Sequence, residues 1–220
     1  MTLFDMKGKV AVITGSTRGI GLAIAERMAE HGAKVVISSR KADVCEQVAK
    51  EINDSYGKGT AVAIAANISS KENLQNLVDE SNRAFGKIDV LVCNAASNPY
   101  YGPLAGISDD QFRKILENNI VANNWLISMV VPQMIERKWG RIVNITGKSE
   151  PEGLNAAFAA KAAVHAWAKG LSREIGEHGI TINCIPPGRI MSEQIRRNYP
   201  PDYRERFAEE EIPVGYWGEP

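Results

Sequence analysis

Short apolar runs alternate with longer amphipathic stretches along this chain. Runs at 9–13, 34–38, 60–65, 88–93, 140–145 and 180–185 are five or six residues rich in Val, Ile, Ala and Leu, the length and composition of buried strands. Between them lie segments with helical spacing of apolar positions, at about 19–31, 41–55, 70–85, 109–137 and 155–177. Gly32, Gly57, Gly59, Gly86 and Gly179 follow these helices where a left-handed residue is expected to stop them. Strand-helix alternation of this kind builds a parallel sheet covered by helices on both faces. Beyond Pro186 the pattern weakens into a Pro-Pro-Gly loop and two charged helical stretches, at 192–198 and 202–211, of the sort that cover a substrate.

Composition narrows the function. The 220 residues fit one domain spanning 1–220, large enough to bury a core without disulfides or a structural metal. Lys plus Arg equal Asp plus Glu at 26 each, so there is no global attraction to nucleic acid or an anionic membrane, and neither partner is expected. Cys45, Cys93 and Cys184 are odd in number, far apart and without metal-ligand spacing, which points to free thiols in a reducing, cytoplasmic setting and to no metal site. His31, His165 and His178 lack carboxylate or Cys partners at ligand spacing, and packing, capping or surface roles are expected of them. Residues 1–9 hold no signal-peptide apolar region, and no run approaches the roughly 20 residues that span a bilayer.

The strongest chemical signal is Thr14-Gly15-Ser16-Thr17-Arg18-Gly19-Ile20-Gly21, directly after the first predicted strand and opening the first helix. A pyrophosphate can approach such a turn where side chains are absent, and the helix N-terminus behind it offers free N–H donors. In this context the glycines predict a dinucleotide-binding Rossmann fold: α/β, single-domain, with a doubly wound parallel sheet. The second strand ends Ser38-Ser39-Arg40, with no carboxylate for a ribose 2′-hydroxyl. Arg40, with Arg18 in the glycine turn, suits a 2′-phosphate instead, so NADP(H) is preferred over NAD(H).

With the glycine turn, Cys93-Asn94-Ala95-Ala96, Asn119, Lys161 and Pro187-Gly188 in place, the chain resembles the short-chain dehydrogenase/reductase family, including its 3-oxoacyl-ACP reductase-like members, over nearly its whole length. The resemblance implies a seven-stranded fold and a nicotinamide cofactor. It also implies hydride transfer at a small-molecule carbonyl or alcohol carbon, and a homo-oligomer, tetramer or dimer, built on the two long helices. It places Gly15, Thr17, Arg18, Gly19, Ile20 and Gly21 around the cofactor phosphates, with Ser39 and Arg40 beside the adenosine ribose. Asn94 and Ala95 flank that ribose too, although Ala96 stands where Gly is usual. Asn67 and Ile68 match the pair that holds the adenine, with Asn replacing the usual Asp. Pro187, Gly188, Ile190 and Ser192 fall against the nicotinamide and phosphates. The chain stops at Gly215-Tyr-Trp-Gly-Glu-Pro220, where the family continues through one more helix and a last strand.

The catalytic pattern is broken. In the family a Tyr passes the proton, a Lys four residues later lowers its pKa and holds the ribose, a Ser ending the fifth strand polarises the substrate oxygen, and an Asn completes a water relay. Lys161 and Asn119 match the Lys and Asn. The Tyr position is Ala157 and the Ser position is Gly147, and the segment between them is shorter than usual. Replacements are open: Ser149 or Thr146 for the Ser; Tyr100, Tyr101 or Lys148 for the acid. The two tyrosines fit an apolar wall, and Lys148 a solvated loop charge, better than they fit the acid's role. The expectation is an NADP(H)-dependent carbonyl–alcohol oxidoreductase with an altered proton relay. The alternative is an NADP(H)-binding relative without turnover, acting as a sensor or partner subunit.

Overall fold

The computed structural model describes residues 3–100, 102–150 and 155–220. Six strands form one parallel sheet: β1 (Val10–Thr14), β2 (Lys34–Ser38), β3 (Ala61–Ala63), β4 (Val90–Cys93), β5 (Gly140–Ile145) and β6 (Ile180–Ile185), ordered β3-β2-β1-β4-β5-β6. All five residues of β1 are buried, as a central strand covered on both faces requires. One face is covered by α1 (Gly19–Glu30) and α2 (Ala42–Tyr56), which close a cluster around Ile13, Val35, Ile37 and Ile52. On the other face lie α3 (Lys71–Phe85), α5 (Ala122–Glu136) and α6 (Ala156–Ile175), packed on Leu74, Leu91, Ile127 and Ile142. The order reverses between β1 and β4, and the crevice beyond their carboxyl ends is where open α/β sheets bind ligands.

The glycine stops are as the pattern predicts: Gly32, Gly57, Gly59, Gly86 and Gly179 all have positive φ, from +73° to +105°. The predicted strand 88–93 begins two residues later, because Ile88 is diverted to α5, its N–H donating to Gln133 Oε1 and its carbonyl accepting from Arg137 Nη2. Asp89, buried beside it, accepts from Val10 N at 3.0 Å and pairs with Lys87 at 2.8 Å, tying the strand bottoms together. The predicted strand 60–65 is shorter, β3 covering Ala61–Ala63, although Ile64 N and Ala66 N still donate to Ile37 O and Ser39 O beyond it.

Two departures bear on function. The single helix predicted over 109–137 is divided into α4 (Asp109–Leu116), a π turn (Glu117–Val121) and α5. The wider turn turns two successive side chains inward, and π turns concentrate at functional sites. Asn118 bridges Ser69 Oγ and Ser97 Oγ, each at 2.6 Å, and Asn119 donates to the carbonyls of Ser97 and Ile115. The resemblance implied seven strands; the described residues form six, with β6 at an edge, and continue into α7 (Glu193–Asn198) and α8 (Pro201–Glu211). Residues 189–191 and the chain end then meet, Met191 N donating to Gly218 O at 2.7 Å and Gly218 N to Arg189 O at 2.9 Å.

Candidate active site

The glycine turn is stapled into place by β2. Gly15 N and Ser16 N both donate to Ser38 O, at 2.8 and 3.1 Å, and the buried Ser16 hydroxyl donates to Ile13 O while accepting from Ser38 N. From the other side Asn94 Nδ2 donates to the Thr14 and Gly15 carbonyls, and the amides of Asn94 and Ala95 donate to Thr14 Oγ1 at 3.0 Å. Gly15 and Gly19 have φ of +67° and +55°. A Cβ at Gly21 would collide with the Gly15 carbonyl oxygen and come within 2.5 Å of Asn94 Nδ2, whereas one at Gly19 would meet nothing within 4 Å. Gly21 lets helix and strand close up, and Gly19 leaves open space above the first turn of α1. Its first amides precede the bond from Leu22 N to Arg18 O, so they face that space as donors. A dinucleotide pyrophosphate fits this cradle.

Around the cradle, Thr17 and Ile20 are half-buried and Arg18 is exposed, pairing with Glu193 of α7 at 2.8 Å. Arg40 is exposed, with no hydrogen bond or ion pair to any described residue, and Ser39 packs its amide and hydroxyl against Cys45 Sγ at 3.2 Å. Asn67 is exposed, its Oδ1 accepting from Ser69 N; the free half of its amide is therefore a donor. Ile68 packs against the core below. Pro187 and Gly188 lie in the loop after β6, Ile190 bridges to Gly218, and Ser192 caps α7 by accepting from Ile195 N.

Several of the residues expected to be catalytic fall on α6 and the end of β5. Ala157, Lys161 and His165 stand at i, i+4 and i+8, on one helix face. Lys161 reaches the β5 end, Nζ donating to Thr146 O at 3.5 Å, and burial pushes its pKa below the ordinary lysine value. Gly147 borders it: a Cβ there would sit 3.7 Å from Lys161 Cδ, in ordinary contact. Ala157 is buried in an apolar cluster with Ile115, Ala156 and Ala160, against which Tyr100, Ile107, Leu116 and Ile120 pack. A methyl group fills the place of the phenol.

Tyr100 does not meet Lys161. Its hydroxyl donates to Pro103 O at 2.8 Å and its ring crowds Gly102 and Gly106, so it serves the apolar wall. Tyr101 lies outside the described residues. Ser149 and Lys148 are exposed on the turn after β5, and Thr146 is buried beneath it. Among the described residues no phenol or hydroxyl hydrogen-bonds Lys161 Nζ. Asn119 is buried one layer away, its Oδ1 without a partner among the described residues.

One residue at this site has a sharper role than its sequence context predicts. His165 Nε2 lies 2.8 Å from Gly147 O and 3.0 Å from Thr146 Oγ1. A carbonyl only accepts, so Nε2 carries a hydrogen, and the imidazole clamps the turn bearing Gly147 to α6. The spacing of four from Lys161 was the available signal.

The sequence profile described as short chain dehydrogenase matches residues 9–202. The chain belongs to the short chain dehydrogenase family. Membership carries with it a nicotinamide cofactor and oxidoreduction between carbonyl and alcohol. This short chain dehydrogenase is 32% identical over 219 residues to mouse (Mus musculus) dehydrogenase/reductase SDR family member 4, covering 98% of this chain and 77% of that protein. It is 34% identical over 191 residues to the 3-oxoacyl-[acyl-carrier-protein] reductase FabG of Haemophilus influenzae, covering 86% and 76%. Among solved structures, a 7 alpha-hydroxysteroid dehydrogenase complexed with NADH and 7-oxo glycochenodeoxycholic acid superposes with a TM-score of 0.91 at 31% identity, covering 98% of this chain and 84% of that one. A hydroxysteroid dehydrogenase from Escherichia coli gives 0.85 at 30% identity, covering 98% and 86%. No helix of the described residues is long and apolar enough to cross a membrane, and the three cysteines are free thiols.

Proposed function

We propose that this short chain dehydrogenase uses NADP(H) to interconvert a small-molecule carbonyl and alcohol, with Lys161 at the centre of an altered proton relay. The observation that carries this reading is Lys161 itself. A desolvated lysine with no carboxylate partner among the described residues costs stability, and this one is held at the β5 end, two strands along the sheet's carboxyl edge from the cradle, where a nicotinamide ribose needs a donor. Bound NADPH would supply the hydride. Gly15 to Gly21 would seat its phosphates, Asn94 and Ala95 its adenosine ribose, and Asn67 and Ile68 its adenine. Lys161 Nζ would hold the nicotinamide ribose and, with its lowered pKa, pass a proton to the carbonyl oxygen as hydride arrives at carbon. His165 would keep the Gly147 turn in register with Lys161, and Asn119, with its unpartnered Oδ1, would connect that amine to water.

The NADP(H) preference rests on Arg40, exposed at the β2 end and without a carboxylate partner, with Arg18 beside the phosphates. Arg40→Asp is expected to weaken NADPH binding by roughly tenfold to a hundredfold and spare NADH, as loss of a charge-assisted pair requires. Fluorescence titration of both cofactors measures it; equal losses for the two would remove the preference. The free thiols fit a cytoplasmic setting. The outer faces of α5 and α6, where Ser128 and Pro132 meet Trp167 and Gly170 in a shallow groove, would seat a second copy in a dimer or tetramer.

NADPH consumption across ketones, diketones, quinones and acyl thioesters tests the activity. Gly147→Ser sharpens the test because the space beside Lys161 admits the side chain. The added hydroxyl is expected to raise kcat/KM for carbonyls about tenfold by donating to the substrate oxygen. The second reading, a cofactor-binding sensor or partner subunit, draws on Ala157 and Gly147. It prevails if wild type and Gly147→Ser both bind NADPH and neither consumes it.

A further inference from the structure

Two cations of the cap region, Arg189 and Arg204, pair with no carboxylate among the described residues. Arg204, on α8, is partly buried; its Nε is shielded from solvent and has no partner among the described residues. Among the described residues its one side-chain hydrogen bond runs from Nη1 to the thioether of Met191 at 3.6 Å, a weak acceptor. One helical turn on, Phe207 lies beneath the guanidinium of Arg189, 4.8 Å from the ring centre. Although α8 carries Asp202, Glu205, Glu209, Glu210 and Glu211, none pairs with Arg204 or Arg189. A shielded guanidinium nitrogen without an acceptor is costly unless a ligand completes it.

The surroundings describe that ligand. Tyr199, Tyr203, Phe207 and Trp217 form a ladder with ring centres 5.1, 5.9 and 5.4 Å apart, and Trp217 Nε1 is anchored on Arg204 O. Met191 sits in the strip after β6, at the carboxyl edge of the sheet. The exposed Arg18–Glu193 pair joins the start of α7, the helix before α8, to the glycine turn. We infer that Arg204, aided by Arg189, binds the carboxylate of an amphipathic acid whose apolar body lies along Phe207 and Trp217. This inference deepens the oxidoreductase reading and rests on it for the claim that the acid is a substrate. A planar guanidinium holds a carboxylate through two parallel bonds, and the aromatic ladder favours an organic acid over an inorganic anion.

The test compares 4-acetylbenzoate with its methyl ester, which share the aryl ketone while the ester replaces the carboxylate's charge with a neutral methoxycarbonyl group. Calorimetric Kd values with NADP+ bound and kcat/KM values with NADPH are measured for wild type, Arg204→Met and Arg204→Lys. Wild type is expected to favour the acid by at least about tenfold, Arg204→Met to lose that ratio and Arg204→Lys to keep part of it. If Arg204→Met does not melt cooperatively, Arg204→Lys carries the comparison. Equal affinity of wild type for acid and ester overturns the assignment. So does a fall in NADPH and NADH affinity with the acid-to-ester ratio intact, which would place the anion on the cofactor. An acid preference in binding without turnover of any carbonyl supports the site and removes the oxidoreductase reading.

Discussion

Gly21→Ala is expected to raise the Kd for NADPH at least a hundredfold, about 3 kcal/mol, and to lower the melting temperature as well. The added methyl would run into the Gly15 carbonyl oxygen and press on Asn94 Nδ2 at 2.5 Å. Neither neighbour can retreat cheaply. Gly15 is bonded to Ser38 O, and the Asn94 amide is spent on the Thr14 and Gly15 carbonyls, so relief requires β1, β4 and α1 to part at the phosphate cradle. Gly19→Ala is the control: its methyl would meet no protein atom within 4 Å, though the backbone there is left-handed at φ +55°. It should cost about 1–2 kcal/mol in backbone strain and reach the cofactor through the ligand-facing space alone. NADPH titration and thermal melts of the two variants decide the matter, and wild-type affinity in Gly21→Ala would remove the cradle from its assigned role.

Lys161→Met is expected to reduce carbonyl turnover by roughly 10²–10⁴-fold, the usual contribution of a positioned acid, while leaving the protein as stable as wild type or more so at neutral pH. The two effects share one cause. Burial disfavours the ammonium, which makes it a readier acid and also makes the folded state pay for holding it. Between the lowered folded pKa and the ordinary lysine value, the unfolded chain binds more protons than the folded one. Wild-type stability therefore rises with pH across that window, and the advantage of the Met variant shrinks there. Reduction needs the protonated amine and should fall as pH climbs through the lowered pKa, whereas alcohol oxidation should rise. Melting curves against pH and pH–rate profiles in both directions read these signs. Full turnover in Lys161→Met would transfer the acid's role to another group.

The cap meets the glycine turn through one ion pair. Arg18 and Glu193 are both largely exposed, with side-chain exposures of 70% and 69%, and such pairs contribute little to stability. Their consequence is geometric. A 2′-phosphate that recruits Arg18 would draw it from Glu193 and loosen the start of α7, linking the cofactor's identity to the position of the segment that carries Arg204 toward Met191.

What the amino-acid order determined by itself is the series of elements and the cradle. Most strands report their burial through short, mostly apolar runs, the helices through spacing near 3.6, and several stops through a glycine, so six strands and the helical segments between them were legible within a few residues, apart from the π turn that divides 109–137. Gly15, Gly19 and Gly21 were legible for the same reason, since turn, open space and close approach are demanded within eight consecutive residues. Only the tertiary structure decided where Tyr100 spends its hydroxyl, that His165 clamps Gly147, that Asn118 and Asn119 both turn inward, and that Arg204 meets Met191 with no ion-pair partner among the described residues. Periodicity measures a segment against its own axis. These contacts join different segments, or depend on a local change of helical pitch, and they are set by how sheet, helices and cap stack on one another.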